Sequence, residues 1–151
     1  MTGRGDSMYH WDWMKNEHAL AVAEWTYDAP LTHLNIQEDE NALDHFLNPF
    51  NWRNRFAVFK EEALIGYVDF RLKSEAEAEV YLQLHPELLG QGEGIHLARE
   101  AMGISRKQYD LMLLIARPDP DFAPAVRLCE KLDGKRKTNQ EKLYYEWTFT
   151  R

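Results

Sequence analysis

Three glycines within five residues, Gly90-Gln91-Gly92-Glu93-Gly94, separate a strand pattern from a helix pattern. No other stretch constrains the fold as tightly. Upstream, Glu77–His85 alternates Glu79, Tyr81 and Gln83 against Val80, Leu82 and Leu84, which is the period of a strand, and Pro86 ends it. Downstream, Ile95, Leu97, Ala98, Ala101 and Met102 recur at helical spacing, opposite His96, Arg99, Glu100, Arg106 and Lys107. That predicts an amphipathic helix from about Gly92 to Gln108. Glycine lets other atoms approach its backbone closely, at a cost in conformational entropy. A plain turn needs only one such residue. At a helix start, unpaired amides and the helix dipole favour an anion, so the segment is expected to hold a phosphate. It is neither a Walker loop, which needs Gly-Lys-Ser/Thr, nor a dinucleotide fingerprint, whose third glycine would fall where Ile95 stands.

The flanking sequence supplies the other elements. A helix is expected over Asn16–Trp25, stopped by Pro30, and a second near Glu38–Leu47, closed by Pro49. Arg55–Lys60 and Leu64–Leu72 are rich in Val, Ile, Phe and Tyr and predict an antiparallel hairpin turning within Lys60–Ala63. Leu111–Ala116 is a continuous apolar run, as in a buried strand. Asp121 is the expected N-cap of a helix carrying the stripe Ala125, Leu128, Cys129 and Leu132. Lys142–Phe149 is the expected last strand, and the basic run Lys135-Arg-Lys137 before it reads first as a solvated turn and second as a contact for a ligand phosphate. The order describes an α+β (mixed α/β) domain over 8–151, with a flexible, polar, Gly-rich segment at 1–7.

Composition narrows the function. The chain has 151 residues, 44% hydrophobic, with five Trp, so it can bury a core. A net charge of −7 argues against binding a nucleic-acid backbone. Cys129 is the single cysteine, which leaves no intrachain disulfide and no thiolate zinc cluster, and the six histidines show no ligand spacing, so no metal is expected. The longest apolar run is too short to span a bilayer, and no secretory signal pattern is present. A cytoplasmic protein without membrane contact is the expectation.

The run Val80-Tyr-Leu-Gln-Leu-His-Pro-Glu-Leu-Leu-Gly-Gln-Gly-Glu-Gly94 resembles the acetyl-CoA motif of the GNAT superfamily of N-acetyltransferases: a strand, Pro, then Gln/Arg-x-x-Gly-x-Gly/Ala opening a helix. Ala125-Val-Arg-Leu-Cys-Glu-Lys-Leu132 is similar to the family's later helix, usually Ala-Ile-x-Leu-Tyr-Glu-Lys-Leu-Gly-Phe. Trp25-x-Tyr27 and Leu64-Ile-Gly-Tyr-Val also fit bacterial members. The similarity covers about residues 15–149. It implies a GNAT-like acyl-CoA N-acyltransferase fold, with a central mixed, mostly antiparallel sheet flanked by helices. It implies acetyl transfer from acetyl-CoA to a primary amine by direct attack in a ternary complex. The implied partners are a CoA thioester and a small-molecule or peptide amine, with a homodimer as the candidate assembly.

By this resemblance, Leu89, Gly90, Gln91, Gly92, Glu93 and Gly94 hold the CoA pyrophosphate, and Leu82, Gln83 and Leu84 pair with the pantetheine arm. The Leu84 backbone amide approaches the thioester carbonyl, where it would stabilise the charge that develops on attack. The chain departs from the pattern after the later helix, where Asp133-Gly134 replaces Gly-Phe, and at two single residues. Leu89 stands where the family has Gln or Arg, and Cys129 where it has the Tyr that protonates the departing thiolate. Cys129 lies on an apolar stripe and reads first as packing. The departures also support an alternative, a CoA-binding sensor or interaction module with the same fold and no turnover. Glu79 is the first candidate for a general base, competing with its reading as a solvated strand carboxylate, and Asp69 is the second. Trp25, Tyr27, Phe50 and Trp52 are candidates for lining an acceptor cleft, against the plainer reading of core packing.

Overall fold

Strand pairing in the computed structural model, which describes residues 8–150, begins one element earlier than the sequence pattern indicates. The elements are β1 (Tyr9–Trp13), α1 (Asn16–Ala23), α2 (Glu40–Leu47), β2 (Arg55–Lys60), β3 (Ala63–Leu72), β4 (Glu77–Leu84), α3 (Gly94–Lys107), β5 (Leu113–Ala116), α4 (Ala123–Lys131), β6 (Lys135–Asn139) and β7 (Lys142–Thr148). The expected flexible segment 1–7 lies outside the described residues. The strands form one mixed sheet in the order β1-β2-β3-β4-β5-β7-β6. The pairs β1·β2, β2·β3, β5·β7 and β6·β7 are antiparallel, and β4·β5 is parallel.

The chain forms two compact units. One comprises the residues up to Asp69 together with Leu82–Leu97; the other comprises Phe70–Tyr81 and the residues from Ala98 onward. In the first, β1 lies along β2 from Tyr9↔Lys60 to Trp13↔Phe56, and β2 along β3 from Arg55↔Asp69 to Lys60↔Ala63. The hairpin turn is taken by Glu61, at φ 54. Met14, Ala19, Val22, Trp25, Tyr27, Phe46 and Tyr67 are its buried cluster. Asp39 caps α2, its carboxylate accepting from the amides of Asn41 and Ala42.

In the second unit, β4 pairs with β5 from Glu77↔Leu113 to Val80↔Ala116. Two bonds fasten α4 to β7: the Tyr145 hydroxyl donates to Glu130 (2.8 Å), and the Trp147 indole N–H donates to the Leu132 carbonyl (2.8 Å). Gly134 ends α4 against this indole. A Cβ at 134 would stand 2.7 Å from the Trp147 ring.

Several expectations need correction. The segment Tyr9–Trp13 is a strand, hidden in the sequence because only Trp11 among its residues is buried and no alternation shows. Lys135–Asn139 is a strand and not a turn: it lies at the sheet edge, mostly exposed, where Lys and Arg side chains are a common composition. The first helix ends at Ala23, so Trp25 lies beyond it and Pro30 is not its stop. Asp121 does not cap α4. The cap position is Phe122, which makes no side-chain cap bond, and the Asp121 amide donates to the Asp119 carboxylate (2.9 Å).

Candidate functional site

Along β4 the backbone direction follows residue parity. On the odd positions, the Glu77 carbonyl accepts from the Lys73 amide (2.8 Å) and the His85 amide donates to Ile65 (2.7 Å), both toward β3. On the even positions, the Ala76 carbonyl accepts from the amides of Met112 and Leu113 (2.8 and 3.0 Å). The two-residue period of a strand therefore turns the peptide groups of Leu82 and Leu84 away from β3. The register with β5 ends at Val80, and β4 itself continues to Leu84.

The end of β4 is held by a buried hydrogen-bond chain. The Tyr67 hydroxyl donates to Gln83 Oε1 (3.0 Å), Gln83 Nε2 donates to the Tyr27 hydroxyl (3.1 Å), and that hydroxyl donates to the Leu84 carbonyl (2.6 Å). Tyr27 is itself clamped by the buried Asn35, which accepts from its amide (2.6 Å) and donates to its carbonyl (3.0 Å). With the Leu84 carbonyl and the His85 amide both engaged, the strand end is pre-set rather than frayed. His85 is structural: its ring packs on Trp25 (4.8 Å between centroids) and its Nδ1 accepts from the Glu87 amide (3.1 Å).

Beyond His85, a 3-10 turn at Pro86–Leu88 leads into the glycine loop. Gly90 and Gly92 sit at φ +77 and +79, in the left-handed region that favours glycine. Nothing lies within 4 Å of the Cβ that either would carry, so the space over this backbone is open. The Gln91 amide turns inward to Leu88 (3.3 Å), and the Glu93 carbonyl accepts from His96 and Leu97 as α3 begins. Among the described residues, the amides of Gly90, Gly92, Glu93 and Gly94 meet no backbone acceptor. Gly66 lets α3 approach the sheet here. A Cβ at 66 would stand 2.6 Å from the Gln83 carbonyl and 2.9 Å from Leu97.

The Glu93 carboxylate is held from both sides. One oxygen accepts from the Tyr9 hydroxyl (2.7 Å), the other from Lys60 Nζ (2.9 Å). These two bonds, Tyr9's first, keep its pKa below the usual carboxylate range, and Glu93 in turn raises that of Lys60. Burial, then Glu93, raises the Tyr9 phenol, whose ring stacks on His96 (4.5 Å).

The first unit thus brings together Leu82–Leu84 and Leu89–Gly94. The other candidates have partners of their own. Glu79 lies in the second unit, its Oε1 3.3 Å from Arg117 Nε. Cys129, also there, is buried on α4, and its thiol is pushed up to about 11 by burial and by neighbouring Glu130. Asp69 faces Arg55 (3.5 Å), whose guanidinium lies over the Phe46 ring. The proposed aromatic cluster divides: Trp25 and Tyr27 are core, Trp52 donates to the Phe46 carbonyl (2.8 Å), and Phe50 is 82% exposed. Sequence reasoning missed Tyr9, Asn35, Lys60 and the side chain of Gln83. A glutamate in a loop expected to hold an anion signals that a counter-charge is needed, but not which residue provides it. Among the described residues, no group of three His, Cys, Asp or Glu is placed to hold a metal, and no helix is long and apolar enough to cross a membrane.

The mixed seven-stranded sheet with its four helices has the fold of the GNAT acetyltransferases. A GNAT-family acetyltransferase from Bacillus anthracis superposes with a TM-score of 0.73 at 18% identity, over 98% of each chain. The Campylobacter jejuni N-acetyltransferase PseH, solved with acetyl coenzyme A, matches at 0.64 and 20% identity over 76% of this chain and 82% of its own. The aminoglycoside acetyltransferase AAC(6')-Ib, solved with coenzyme A, matches at 0.73 and 15% identity over 93% and 94%. No protein-family model and no curated protein matches the sequence.

Proposed function

We propose that this chain is a GNAT-superfamily N-acetyltransferase that moves an acetyl group from acetyl-CoA to a primary amine. One observation carries the reading: a single compact unit holds both a strand end with its Leu84 amide turned away from β3 and a glycine loop with open space above its amides. The solved relatives bound to acetyl coenzyme A or coenzyme A support the choice of ligand. In this reading the amides of Gly90, Gly92, Glu93 and Gly94 bind the pyrophosphate at the start of α3. The backbone of Leu82–Leu84 pairs with the pantetheine arm. The Leu84 amide donates to the acyl oxygen, on which negative charge grows as the amine attacks. A donor fixed in place before reaction needs no reorganisation, and its loss costs about a hundredfold or more in comparable sites.

In this reading the amine is taken up already neutral and gives its surplus proton to solvent as the amide forms, while Glu79 serves as the ion-pair partner of Arg117. The buried Cys129 thiol packs, and the departing thiolate is protonated from solvent. Burial of this thiol, at the position aligned with the family's tyrosine, favours a second reading: a CoA-binding module without turnover. Mixing the protein with acetyl-CoA and a panel of amines and following free CoA thiol separates the two. Amine-dependent thiol release supports the enzyme. Tight CoA binding with no release across the panel supports the module, and no CoA binding overturns both.

A further inference from the structure

Glu93 contributes its amide to the proposed anion cradle and carries a carboxylate at the same position. A fixed negative charge beside a pyrophosphate opposes binding. A carboxylate beside a helix start also has the chemistry to cap the amides there and so compete with the ligand. In this arrangement both oxygens are already engaged: one by Tyr9 from β1, the other by Lys60 from the end of β2. The Tyr9↔Lys60 register pair places the two donors side by side. Tyr9 is further set by its stack on His96, in the first turn of α3.

We propose that Lys60 is a positioning residue of the proposed cofactor site: with Tyr9 it draws the Glu93 carboxylate toward β1 and β2 and offsets its charge, so that the loop accepts a diphosphate. This rests on the assignment of the 90–94 loop to CoA. The chemical class recognised is a pyrophosphate ester. The role of Lys60 is exerted through Glu93 and not by contact with the ligand.

The test is a double-mutant cycle on the full chain, with CoA affinity read by calorimetry and folding checked by thermal melting. Lys60→Met is expected to weaken CoA binding about tenfold, the scale of one uncompensated charge at a partly screened site. Glu93→Gln is expected to bind at least as well as the parent chain, and the double variant to return to the Glu93→Gln value. Lys60→Arg should retain affinity, which controls for folding. With 3′-dephospho-CoA, which keeps the pyrophosphate, the Lys60→Met penalty should persist. Three results overturn the inference while leaving the CoA site intact. The first is unchanged affinity in Lys60→Met. The second is a double variant as weak as Lys60→Met, which would mean that Lys60 touches the ligand. The third is a Glu93→Gln variant as weak as Lys60→Met, which would make the pair a mechanical brace. If the parent chain binds no CoA, the site assignment itself fails, and the inference with it.

Discussion

Gly92 shows how one residue can carry both a conformation and a proposed ligand contact. Its φ of +79 is adopted at little cost only by glycine, and the space over its backbone is open. Gly92→Val is expected to strain the loop by about 1–2 kcal/mol and to place methyl groups where a phosphate oxygen would sit. CoA binding measured by calorimetry should disappear, and an unchanged affinity would show that the loop is not the site. Cys129 makes the opposite case, a residue with reactive chemistry used for packing. Cys129→Ala should cost about 1 kcal/mol in denaturant unfolding, less than a larger core truncation because a single heavy atom is removed. Turnover should stay within a few fold; a hundredfold fall in kcat with CoA affinity intact would instead make the thiol an acid. Its pKa also has a consequence for stability. The folded thiol titrates near 11, above the ordinary 9, so the fold favours the neutral form. Its contribution is complete below pH 9 and is lost as pH rises toward 11. Melting curves across that window should fall less steeply in Cys129→Ala than in the parent.

At the scale of elements, the β2–β3 hairpin is legible in its Val, Ile, Phe and Tyr content, β4 in its alternation of polar and apolar residues, and α3 in its helical apolar spacing. β1 and β6 are not, because each has one neighbour in the sheet and buries little. What makes β4 a candidate site is its locking, and that is testable. Tyr27→Phe removes the donor to the Leu84 carbonyl and the acceptor for Gln83 Nε2, a loss of about 1–3 kcal/mol for buried polar groups left without partners. If this network pre-sets the Leu84 amide, kcat should fall about tenfold with CoA affinity nearly unchanged. A parallel loss of both would indicate general loosening of the fold. Gly66→Ala probes the same region from below. With the Gln83 carbonyl 2.6 Å and Leu97 2.9 Å from the new Cβ, overpacking of about 1–3 kcal/mol is expected. A melting temperature equal to the parent's would show that α3 yields freely.

For the whole molecule, the question is whether the proposed transfer needs a carboxylate base. Glu79 Oε1 lies 3.3 Å from Arg117 Nε, an ion pair that accounts for the carboxylate without a catalytic role. Glu79→Gln is therefore expected to keep the parent rate and the parent pH profile of kcat/KM. A large loss of rate, together with the disappearance of one limb of that profile, would make Glu79 the base after all.

The sequence alone determined the strand–Pro–glycine–helix order, the hairpin, and the absence of any disulfide within the chain. These are local properties, fixed by side-chain period, by left-handed φ and by cysteine count. The tertiary structure decided how the site is held. Tyr9 reaches Glu93 across 84 residues, Lys60 across 33, and Tyr27 meets Leu84 across 57. Each of these contacts depends on strand register and on how helices sit on the sheet, and no pattern within one segment encodes them. A single-residue slip in register would turn the side chains of β1 to the other face and leave the Glu93 carboxylate without Tyr9.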